Sequence, residues 1–447
     1  MKHQKFDTVI IGSGTSAYYA ARGLQKGGQK VAVVDRQEFG GTCALRGCQP
    51  KKYLVANAEA VAAAAHLVGS GIVAAPKTDW PALQSLKNDF LEGISEDSFN
   101  GYEKAGITPV RGEAFLVDEH TVLVGRTTFT ADAIILATGS SPRPLDIQGA
   151  ELAGTSDTFL ELPELPERIV FVGGGFISFE FATIAAYAGS KVTMLHRGQR
   201  PLKAFDPDAV ASLLEATETS GIEFRANETI ATLKRKGTHL QIATTAGNTF
   251  DADCVINASG RVPNLGVLAH SSLGVATTPR GISVNSFMQS TSHSSIYAIG
   301  DVADTGYQLA TVADQAGILV AENILNENRN PLDLTTVASA VFTIPNLARV
   351  GLLEEEAKAK GLNFRVSKGT TRAWPSSLRI GEKHSYYKVL IENGTDRILG
   401  AHLLRHQASE VINLFALAIS KGITVPELKS TLWAYPTIGS DIKNMIF

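Results

Sequence analysis

The sequence predicts an α/β fold with two Rossmann-like units followed by a smaller C-terminal α+β domain. Two segments, one near residue 6 and one near residue 168, each contain an apolar strand, a glycine-rich turn, a helix and a second apolar strand. That order is typical of a dinucleotide-binding unit, because glycines let the backbone approach a pyrophosphate at the start of the helix. After about residue 331, separate apolar strands precede one helix, which is typical of an α+β domain.

The composition is that of an ordinary soluble chain of 447 residues, with 44% hydrophobic residues, a formal net charge of -3 and a pI near 6.4. This length allows two or three domains, each with its own core. The nearly balanced charges would not attract nucleic acid or an anionic membrane, so neither is expected as a partner. Three cysteines, two of them close together, do not make the framework of a secreted disulfide-rich protein. A close cysteine pair in a reducing compartment is more often catalytic or metal-binding, so we expect a cytoplasmic protein.

The first glycine-rich unit carries the clearest nucleotide-binding pattern. An apolar strand at residues 8–11 leads into a turn with Gly12, Gly14 and Ala17, and the second strand ends at Asp35. The glycines permit the tight turn, and Ala17 lets the helix pack closely on the strand. Asp35 can accept hydrogen bonds from the hydroxyl groups of a ribose.

The second unit repeats the pattern with the opposite charge at its end. Gly173 and Gly175 open its helix, and its second strand is followed by His196 and Arg197, with Lys203 six residues further. Cations at this place neutralise a 2′-phosphate, whereas a carboxylate accepts a ribose hydroxyl. The second unit is therefore predicted to prefer NADP over NAD.

The chemistry is predicted to centre on two cysteines five residues apart, Cys43 and Cys48. On a regular helix their Cα atoms would lie about 8 to 9 Å apart, beyond the usual disulfide range of roughly 4.4 to 6.8 Å. A bridge therefore needs a distorted turn, which Gly47 can supply. The surrounding glycines and lysines favour access and a thiolate, so we interpret the pair as a redox disulfide. Cys254 lies in an apolar strand pattern and is interpreted as an inert core residue.

Two further buried strands are predicted to end in turns that suit a bound cofactor. The strand at 133–137 leads into Thr138 and Gly139, and the strand at 295–299 leads into Gly300 and Asp301. Asp301 places a carboxylate where it can bind a chain of hydroxyl groups. A proline-rich linker at 161–167 separates the first unit from the second.

Together these motifs resemble the class I pyridine nucleotide-disulfide oxidoreductases, the group of glutathione reductase, mercuric reductase and dihydrolipoamide dehydrogenase. The resemblance covers essentially the whole chain. The residues that carry it are the two glycine motifs, Gly41-Thr42-Cys43-x4-Cys48-x-Pro50-Lys51-Lys52, Gly260-Arg261-x-Pro263-Asn264, Gly300-Asp301, and Val350-Gly351-Leu352 followed by Glu354-Glu355-Glu356.

The resemblance implies an FAD-binding domain at 1–149 and 262–336, an NADPH-binding domain at 150–261 and a dimerisation domain at 337–447 that forms a homodimer. It implies that Cys48 is the charge-transfer thiolate against the flavin and that Cys43 is the interchange thiol. Lys52 and Glu180 match a pair beside the flavin, and Phe176 matches an aromatic residue that shields it. Contacts with FAD and NADPH are implied for Gly12, Gly14, Ala17, Asp35, Thr42, Lys52, Ala114, Thr138, Gly139, Asp301, Ala313, Gly173, Gly175, Ile177, Arg197, Lys203, Gly260 and Arg261.

The C-terminal motif departs from the disulfide reductases of this group. They carry His-Pro-Thr with a Glu three residues later, whereas this chain has Tyr435, Pro436 and Thr437, with Ser440 at the Glu position. An imidazole with a pKa of about 6.5 can shuttle protons at neutral pH, but a phenol with a pKa of about 10 is a poor base. A His-dependent thiol interchange should be slower by roughly 10² to 10⁴. By resemblance, the Tyr435–Pro436 peptide should be cis and reach the partner subunit.

Several functions remain open. The leading hypothesis is an NADPH-dependent FAD enzyme that passes electrons through Cys43 and Cys48 to a non-glutathione acceptor, such as a small disulfide or related sulfur species. An acidic predicted helix at 89–102 also disfavours an anionic disulfide.

The alternatives are a soft metal ion or a quinone as acceptor, or a flavin-bound redox sensor; no resident metal is expected. No cysteine follows Cys254, so the C-terminal cysteine pair of mercuric reductase is missing. His402 and His406 are the other candidate proton donors, although a lone histidine there is more often structural.

Overall fold

The computed structural model describes residues 2–447. Its strands are β1 (Lys2–Ile11), β2 (Val31–Asp35), β3 (Thr108–Arg111), β4 (Ala114–Asp118), β5 (Thr121–Val124), β6 (Thr127–Leu136), β7 (Ser140–Pro142), β8 (Arg168–Val172), β9 (Lys191–His196), β10 (Ile222–Ala226), β11 (Ile230–Lys236), β12 (His239–Thr244), β13 (Thr249–Ala252), β14 (Cys254–Asn257), β15 (Arg261–Pro263), β16 (Thr277–Thr278), β17 (Gly281–Ile282), β18 (Ile296–Ala298), β19 (Ser339–Val341), β20 (Asn346–Gly351), β21 (Phe364–Gly369), β22 (Tyr386–Glu392) and β23 (Ile398–Arg405).

The α-helices are α1 (Thr15–Lys26), α2 (Gly41–Leu45), α3 (Cys48–His66), α4 (Trp80–Leu91), α5 (Ile94–Lys104), α6 (Ser156–Leu160), α7 (Phe176–Ala188), α8 (Pro207–Thr219), α9 (Ala310–Leu325), α10 (Glu354–Ala359), α11 (Pro375–Leu378), α12 (Ala408–Lys421), α13 (Val425–Ser430) and α14 (Ile442–Met445).

The described chain divides into two compact units. The first contains residues 2–52, 86–143 and 260–334, and the second contains 53–85, 144–259 and 335–447. The first unit is therefore discontinuous in sequence. The second unit contains both the second glycine-rich turn and the C-terminal domain.

The first unit is built on one sheet with the strand order β3-β2-β1-β6-β5-β4, in which β18 also pairs with β6. The strands β3, β2, β1, β6 and β18 are parallel, whereas β5 and β4 are antiparallel. The inner strands are apolar on both faces, because helices cover a parallel sheet on both sides. Gly317 in α9 lets α1 approach closely, since a Cβ there would lie 2.2 Å from the backbone oxygen of Ser16.

The second unit contains three sheets. A parallel sheet has the order β10-β9-β8-β14, a three-stranded antiparallel sheet has the order β11-β12-β13, and a five-stranded antiparallel sheet has the order β19-β20-β23-β22-β21. Helix α12 packs on the five-stranded sheet through Val411, Ile412 and Phe415, which are buried. The predicted α/β class with a C-terminal α+β domain is confirmed.

The structure differs from the predicted elements in three respects. The first strand begins at Lys2 rather than near residue 8, although its first four residues are exposed. The predicted helix at 89–102 is divided between α4 and α5, because Gly93 adopts a positive φ of 77° that a helix cannot continue through. Strands β20 and β21 were not predicted separately.

Candidate active site

Cys43 and Cys48 lie on two helices separated by a short break. Helix α2 ends at Leu45, Arg46 leaves the helical conformation with a φ of -138°, and α3 begins at Cys48. At Gly47 a Cβ would lie 2.8 Å from the backbone oxygen of Thr42. The distorted turn predicted from the five-residue spacing is present, and a glycine is needed to form it.

The two sulfurs do not form a disulfide, and the Cys43 thiol hydrogen-bonds to Cys48. This hydrogen bond raises the pKa of Cys43 well above its ordinary value, and burial and negative charge on Cys48 and Asp314 raise it further. Cys48 is the first residue of a 19-residue helix, where the helix dipole favours a thiolate. The hydrogen bond and the burial therefore favour the protonated form of Cys43.

The predicted glycines of the first unit form a backbone cradle. A Cβ on Gly12 would lie 2.1 Å from the backbone oxygen of Ala137, and one on Gly41 would lie 2.4 Å from the Cα of Gly14. Gly12 and Gly41 also have positive φ values of 114° and 70°. Any side chain would fill this space. Glycines therefore allow three turns to meet here: the turn before α1, the turn before α2 and the turn after β6.

Asp35 lies at the edge of this cradle. Its carboxylate accepts hydrogen bonds from the backbone N–H of Ser13 at 2.8 Å and from the Ser13 hydroxyl at 2.7 Å. The backbone N–H of Gly112 donates to the backbone oxygen of Asp35 at 2.8 Å, which brings the segment before Ala114 to the same place. Asp35 keeps acceptor sites for a ribose, because an ionised carboxylate has about four lone-pair positions. Sequence reasoning missed Ser13, whose role is visible only from its contact with Asp35.

A polar network holds the turns that follow β6 and β18. The Ser140 hydroxyl donates to Asp301 at 2.8 Å, and Arg261 donates to the hydroxyl and backbone oxygen of Ser140 at 2.8 and 2.6 Å. Thr138 and Asn264 exchange hydrogen bonds with each other's backbone oxygens at 2.7 and 2.8 Å. Arg261 thus positions the turn that carries Asp301. Ser140 and Asn264 were present in the motifs but not predicted as site residues.

Helix α9 contributes a further contact to the first glycine-rich turn. The Thr15 hydroxyl donates a short hydrogen bond to the carboxylate of Asp314, which follows the predicted Ala313. Ala17 is fully buried between the helix and the sheet, as predicted from its place in the glycine motif. No local pattern indicates the Thr15–Asp314 contact, because 299 residues separate the partners.

The second glycine-rich turn has the same close packing. A Cβ on Gly173, whose φ is 136°, would lie 2.2 Å from the backbone oxygen of Ala258. Gly175 is the residue before α7. No atom lies within 4 Å of a Cβ added there, so the start of the helix faces open space. Phe176 is 41% exposed at this open end, beside the predicted contact Ile177.

A basic loop follows β9. Arg197 and Lys203 are exposed, and no carboxylate among residues 2–447 forms an ion pair with either. The ring of His196 packs over the turn, because a Cβ on Gly174 would lie 2.4 Å from its Nδ1. Burial lowers the pKa of His196, and the charges on Lys203 and Arg197 lower it further. The structure therefore brings two free cations to the end of β9, as predicted.

Glu180 is buried in α7, where its carboxylate accepts a hydrogen bond from the backbone N–H of Phe342 at 2.9 Å. Lys52 is half-buried and belongs to the first unit, whereas Glu180 belongs to the second. Their pairing stays a prediction.

The C-terminal segment presents Tyr435 with a 77% exposed side chain. The Tyr435–Pro436 peptide is cis, as predicted. The hydroxyl of Ser440 donates to the backbone oxygen of Thr437 at 2.6 Å, so it stabilises its own turn. Asp441 pairs with the buried Arg405 at 2.8 Å and ties this segment to β23.

The two other candidate histidines, His402 and His406, have different environments. Burial lowers the pKa of His402 to about 4, and its Nε2 lies 3.0 Å from the backbone oxygen of Leu352. A neutral, buried imidazole of this kind has a structural role at neutral pH. His406 is exposed, and its backbone N–H donates a short hydrogen bond to Glu382.

Comparison with known proteins decides the family. Residues 6–317 match the family described as pyridine nucleotide-disulphide oxidoreductase, and residues 337–446 match its dimerisation domain. The chain belongs to this family. Its members are enzymes that use FAD and a pyridine nucleotide, and the dimerisation domain indicates a homodimer.

Individual relatives of this family have different activities. The chain is 32% identical to a glutathione reductase of Nostoc sp. over 98% of this chain and 99% of the relative, and 32% identical to a mercuric reductase of Staphylococcus aureus over 98% and 81%. It is also similar to the structure of a Cu(II) complex of the HOCl-induced flavoprotein disulfide reductase RclA from Escherichia coli. That likeness has a TM-score of 0.88 and 26% identity, and covers 99% of both chains. Equal identity to relatives with different names means that overall similarity does not select an acceptor.

The residues of the first unit fit the FAD of this family. Gly12, Gly14 and Gly41 leave a space that side chains would fill, and Asp35 and Asp301 offer carboxylate acceptors to hydroxyl groups. The FAD contacts of individual residues stay predictions.

Residues 2–447 contain no helix that is long and apolar enough to cross a membrane. Within the same residues, no group of three or more His, Cys, Asp or Glu side chains is arranged to hold a metal ion.

Proposed function

We propose that this chain is an NADPH-dependent FAD oxidoreductase that passes electrons through Cys43 and Cys48 to an acceptor other than glutathione disulfide, such as a small disulfide or related sulfur species. The observation that carries the proposal is the hydrogen bond from Cys43 to Cys48 at the start of α3. FAD held by the glycine-rich turns at Gly12 and Gly41 would supply the two-electron transfer between a nicotinamide and the Cys43–Cys48 pair. Dependence on NADPH favours a cytoplasmic enzyme.

The two cysteines would have separate tasks in disulfide reduction. A base takes the proton of Cys43 and passes it to the leaving sulfur, so that the Cys43 sulfur attacks the acceptor disulfide and one thiol is released. The Cys48 thiolate then attacks the Cys43 sulfur, which forms the Cys43–Cys48 bond and releases the second sulfur as a thiolate. The helix dipole at Cys48 supports the second step, because it stabilises the thiolate there.

Two features disfavour glutathione disulfide. The first acts on disulfides in general: the raised pKa of Cys43 means that a base must remove its proton, and the family's C-terminal histidine is Tyr435 here. The second acts on anionic acceptors: the first turn of α5 carries Glu96, which pairs with Arg111, and Asp97, a carboxylate that disfavours an anionic substrate nearby.

The preference for NADPH rests on the basic loop of the second unit. Arg197 and Lys203 are exposed and have no carboxylate partner among the described residues, so both charges are available to a 2′-phosphate. A site for NAD would instead carry a carboxylate at this place.

A second candidate acceptor is a soft metal ion. Two adjacent thiols are good ligands for such ions, and the exposed Tyr435 replaces the histidine of the disulfide reductases. The likeness to a mercuric reductase and to a structure solved with Cu(II) points the same way. One NADPH supplies two electrons, enough to reduce Hg²⁺ to the metal or two Cu²⁺ ions to Cu⁺.

The test is an anaerobic titration of the purified dimer with NADPH, followed by a panel of small disulfides, Hg²⁺, Cu²⁺ and quinones. The wild type should oxidise NADPH steadily with at least one disulfide or metal ion. Cys43→Ser should lower that rate by at least about 10², whereas Cys254→Ser should retain it, because Cys254 lies in β14 and packs against the apolar cluster of the second unit.

A rate with quinones alone that survives in Cys43→Ser would contradict the proposal, since electrons would then leave without the cysteines. Absence of turnover with every acceptor would favour the redox-sensor alternative.

A further inference from the structure

We propose that Lys388 and Arg349 of the C-terminal domain are positioning residues for the NADPH site, because they fix the loop that carries Arg197 and Lys203. The inference rests on the proposed NADPH preference of that loop. It assigns to the C-terminal domain a part in nucleotide discrimination, in addition to its part in the dimer.

One end of the basic loop is attached to the glycine-rich turn. The backbone N–H of Leu202 donates to the backbone oxygen of Gly174 at 2.9 Å, and the ring of His196 packs against the same glycine. Leu202 adopts a positive φ of 46°, which is unusual for a leucine and turns the chain back toward the glycines. This end of the loop is therefore defined within the nucleotide-binding fold itself.

The other end of the loop is attached to the five-stranded sheet. Lys388 in β22 is buried, and its Nζ lies 2.7 Å from the carboxylate of Asp206, three residues after Lys203. It also lies 2.9 Å from Asp208 and 3.2 Å from Glu354. Asp206 in turn accepts hydrogen bonds from the first backbone N–H groups of α8, including that of Asp208 at 3.1 Å. One ammonium group thus holds the start of α8 and the end of the basic loop.

Arg349 supplies a second attachment two residues closer to the basic side chains. Its guanidinium donates a short hydrogen bond to the backbone oxygen of Ala204 and another to the backbone oxygen of Gly351 at 3.3 Å. Because Ala204 directly follows Lys203, a shift of Arg349 would be transmitted to Lys203 through a single peptide unit.

This arrangement also explains the motif Val350-Gly351-Leu352 followed by three glutamates. Gly351 has a φ of 72°, and a Cβ there would lie 2.3 Å from the backbone oxygen of Leu399, so the chain turns tightly into α10. Glu354 then meets Lys388, whereas Glu356 caps α10 by accepting from the backbone N–H of Leu353 at 2.8 Å. The motif therefore presents one carboxylate to the network that holds the loop.

The contacts within the network favour the charged forms of Lys388 and Asp208. The hydrogen bond from Lys388 lowers the pKa of Asp208 to about 2. Burial lowers the pKa of Lys388, but hydrogen bonds to Asp206 and Asp208 outweigh this effect and raise it overall. Removing the ammonium would leave Asp206 buried without its cation, so the loop is expected to move.

The experiment measures KM for NADPH and for NADH in the full-length dimer. Lys388→Met should raise the NADPH KM by roughly 3- to 30-fold, while the NADH KM and kcat with either nucleotide change less than about twofold. Lys388→Arg should restore most of the NADPH affinity, because it keeps a cation among the three carboxylates. Lys368→Met is the matched control, since Lys368 is exposed and its single ion pair among residues 2–447 is with Asp208, at 3.4 Å.

Arg349→Gln provides a second variant should Lys388→Met fail to fold, and it should raise the NADPH KM selectively in the same way. Equal changes in both KM values, or no change in either variant, would overturn the inference. If the wild type itself shows no preference for NADPH over NADH, the proposed nucleotide preference is wrong and the inference fails with it. Wild-type preference with unselective variants would refute the positioning role alone.

Discussion

The two glycine-rich turns differ at their middle residue, and the difference matches the residue that ends the second strand of each unit. In the first turn the middle residue is Ser13, which donates two hydrogen bonds to Asp35 at the end of β2. In the second turn it is Gly174, and the ring of His196 at the end of β9 occupies the space that a side chain would need. The turn and the strand end therefore form a matched pair in each unit.

This comparison separates what the two sites share from what distinguishes them. Both turns need a glycine at their first position, because a Cβ there would lie about 2 Å from a backbone oxygen. In each unit that oxygen belongs to the residue that follows a neighbouring strand, Ala137 or Ala258. The distinction lies in charge, with a carboxylate in the first unit and free cations in the second. Close approach is thus common to both sites, and under the proposed function the strand end sets the nucleotide preference of each.

The largest expected effect comes from filling the space beside the first glycine of each turn. Gly12→Val should lower the FAD content of the purified protein by at least about tenfold, because the new Cβ would lie 2.1 Å from the backbone oxygen of Ala137. Gly173→Val should leave FAD bound but raise the KM for the nicotinamide nucleotide by at least about tenfold. The ratio of flavin to protein absorbance and steady-state kinetics measure the two effects.

Gly101→Ala is the control for this pair, since Gly101 lies in α5 and has no atom within 4 Å of an added Cβ. Loss of FAD in Gly173→Val, with FAD retained in Gly12→Val, would reverse the assignment of the two units.

The sequence predicted the glycine cradles and the broken helix at the cysteines because those features depend on local spacing. Gly12 and Gly41 adopt positive φ values, and Gly47 lies against the backbone oxygen of Thr42 five residues earlier, so the pattern of small residues indicates these glycines directly. The same holds for the basic loop, whose residues lie within seven positions of the strand end.

Contacts between distant segments could not be predicted in the same way. Thr15 and Asp314 are 299 residues apart, and Lys388 and Asp206 are 182 apart, so no periodicity connects them. Lys388 looks like an ordinary strand residue in the sequence, because β22 alternates little and is buried on both faces. Only the fold shows that its ammonium is enclosed by carboxylates.

The charge difference between the two units is tested by a single substitution of intermediate effect. Arg197→Glu should raise the KM for NADPH by roughly 10- to 100-fold, because a charge-assisted contact with a phosphate is lost and a repulsion is added. The KM for NADH should change less than about threefold, since NADH carries no 2′-phosphate.

Arg235→Glu makes the same change in charge on β11, at an exposed position outside the loop, and should leave both constants unchanged. A similar loss of affinity for both nucleotides in Arg197→Glu would refute the phosphate assignment.

The smallest expected effect tests whether the middle residue and the strand end act as a pair. Gly174→Ser alone should disturb the loop, because its Cβ would lie 2.4 Å from Nδ1 of His196. The double variant Gly174→Ser with His196→Asp recreates the pairing of Ser13 and Asp35, and should shift the ratio of NADPH to NADH kcat/KM toward NADH by about tenfold. His196→Asp alone should shift it less, because the carboxylate would lack the serine that orients it. The single and double variants form a double-mutant cycle. Additive effects of the two substitutions on kcat/KM would show that the turn and the strand end act independently, and that charge alone distinguishes the two units.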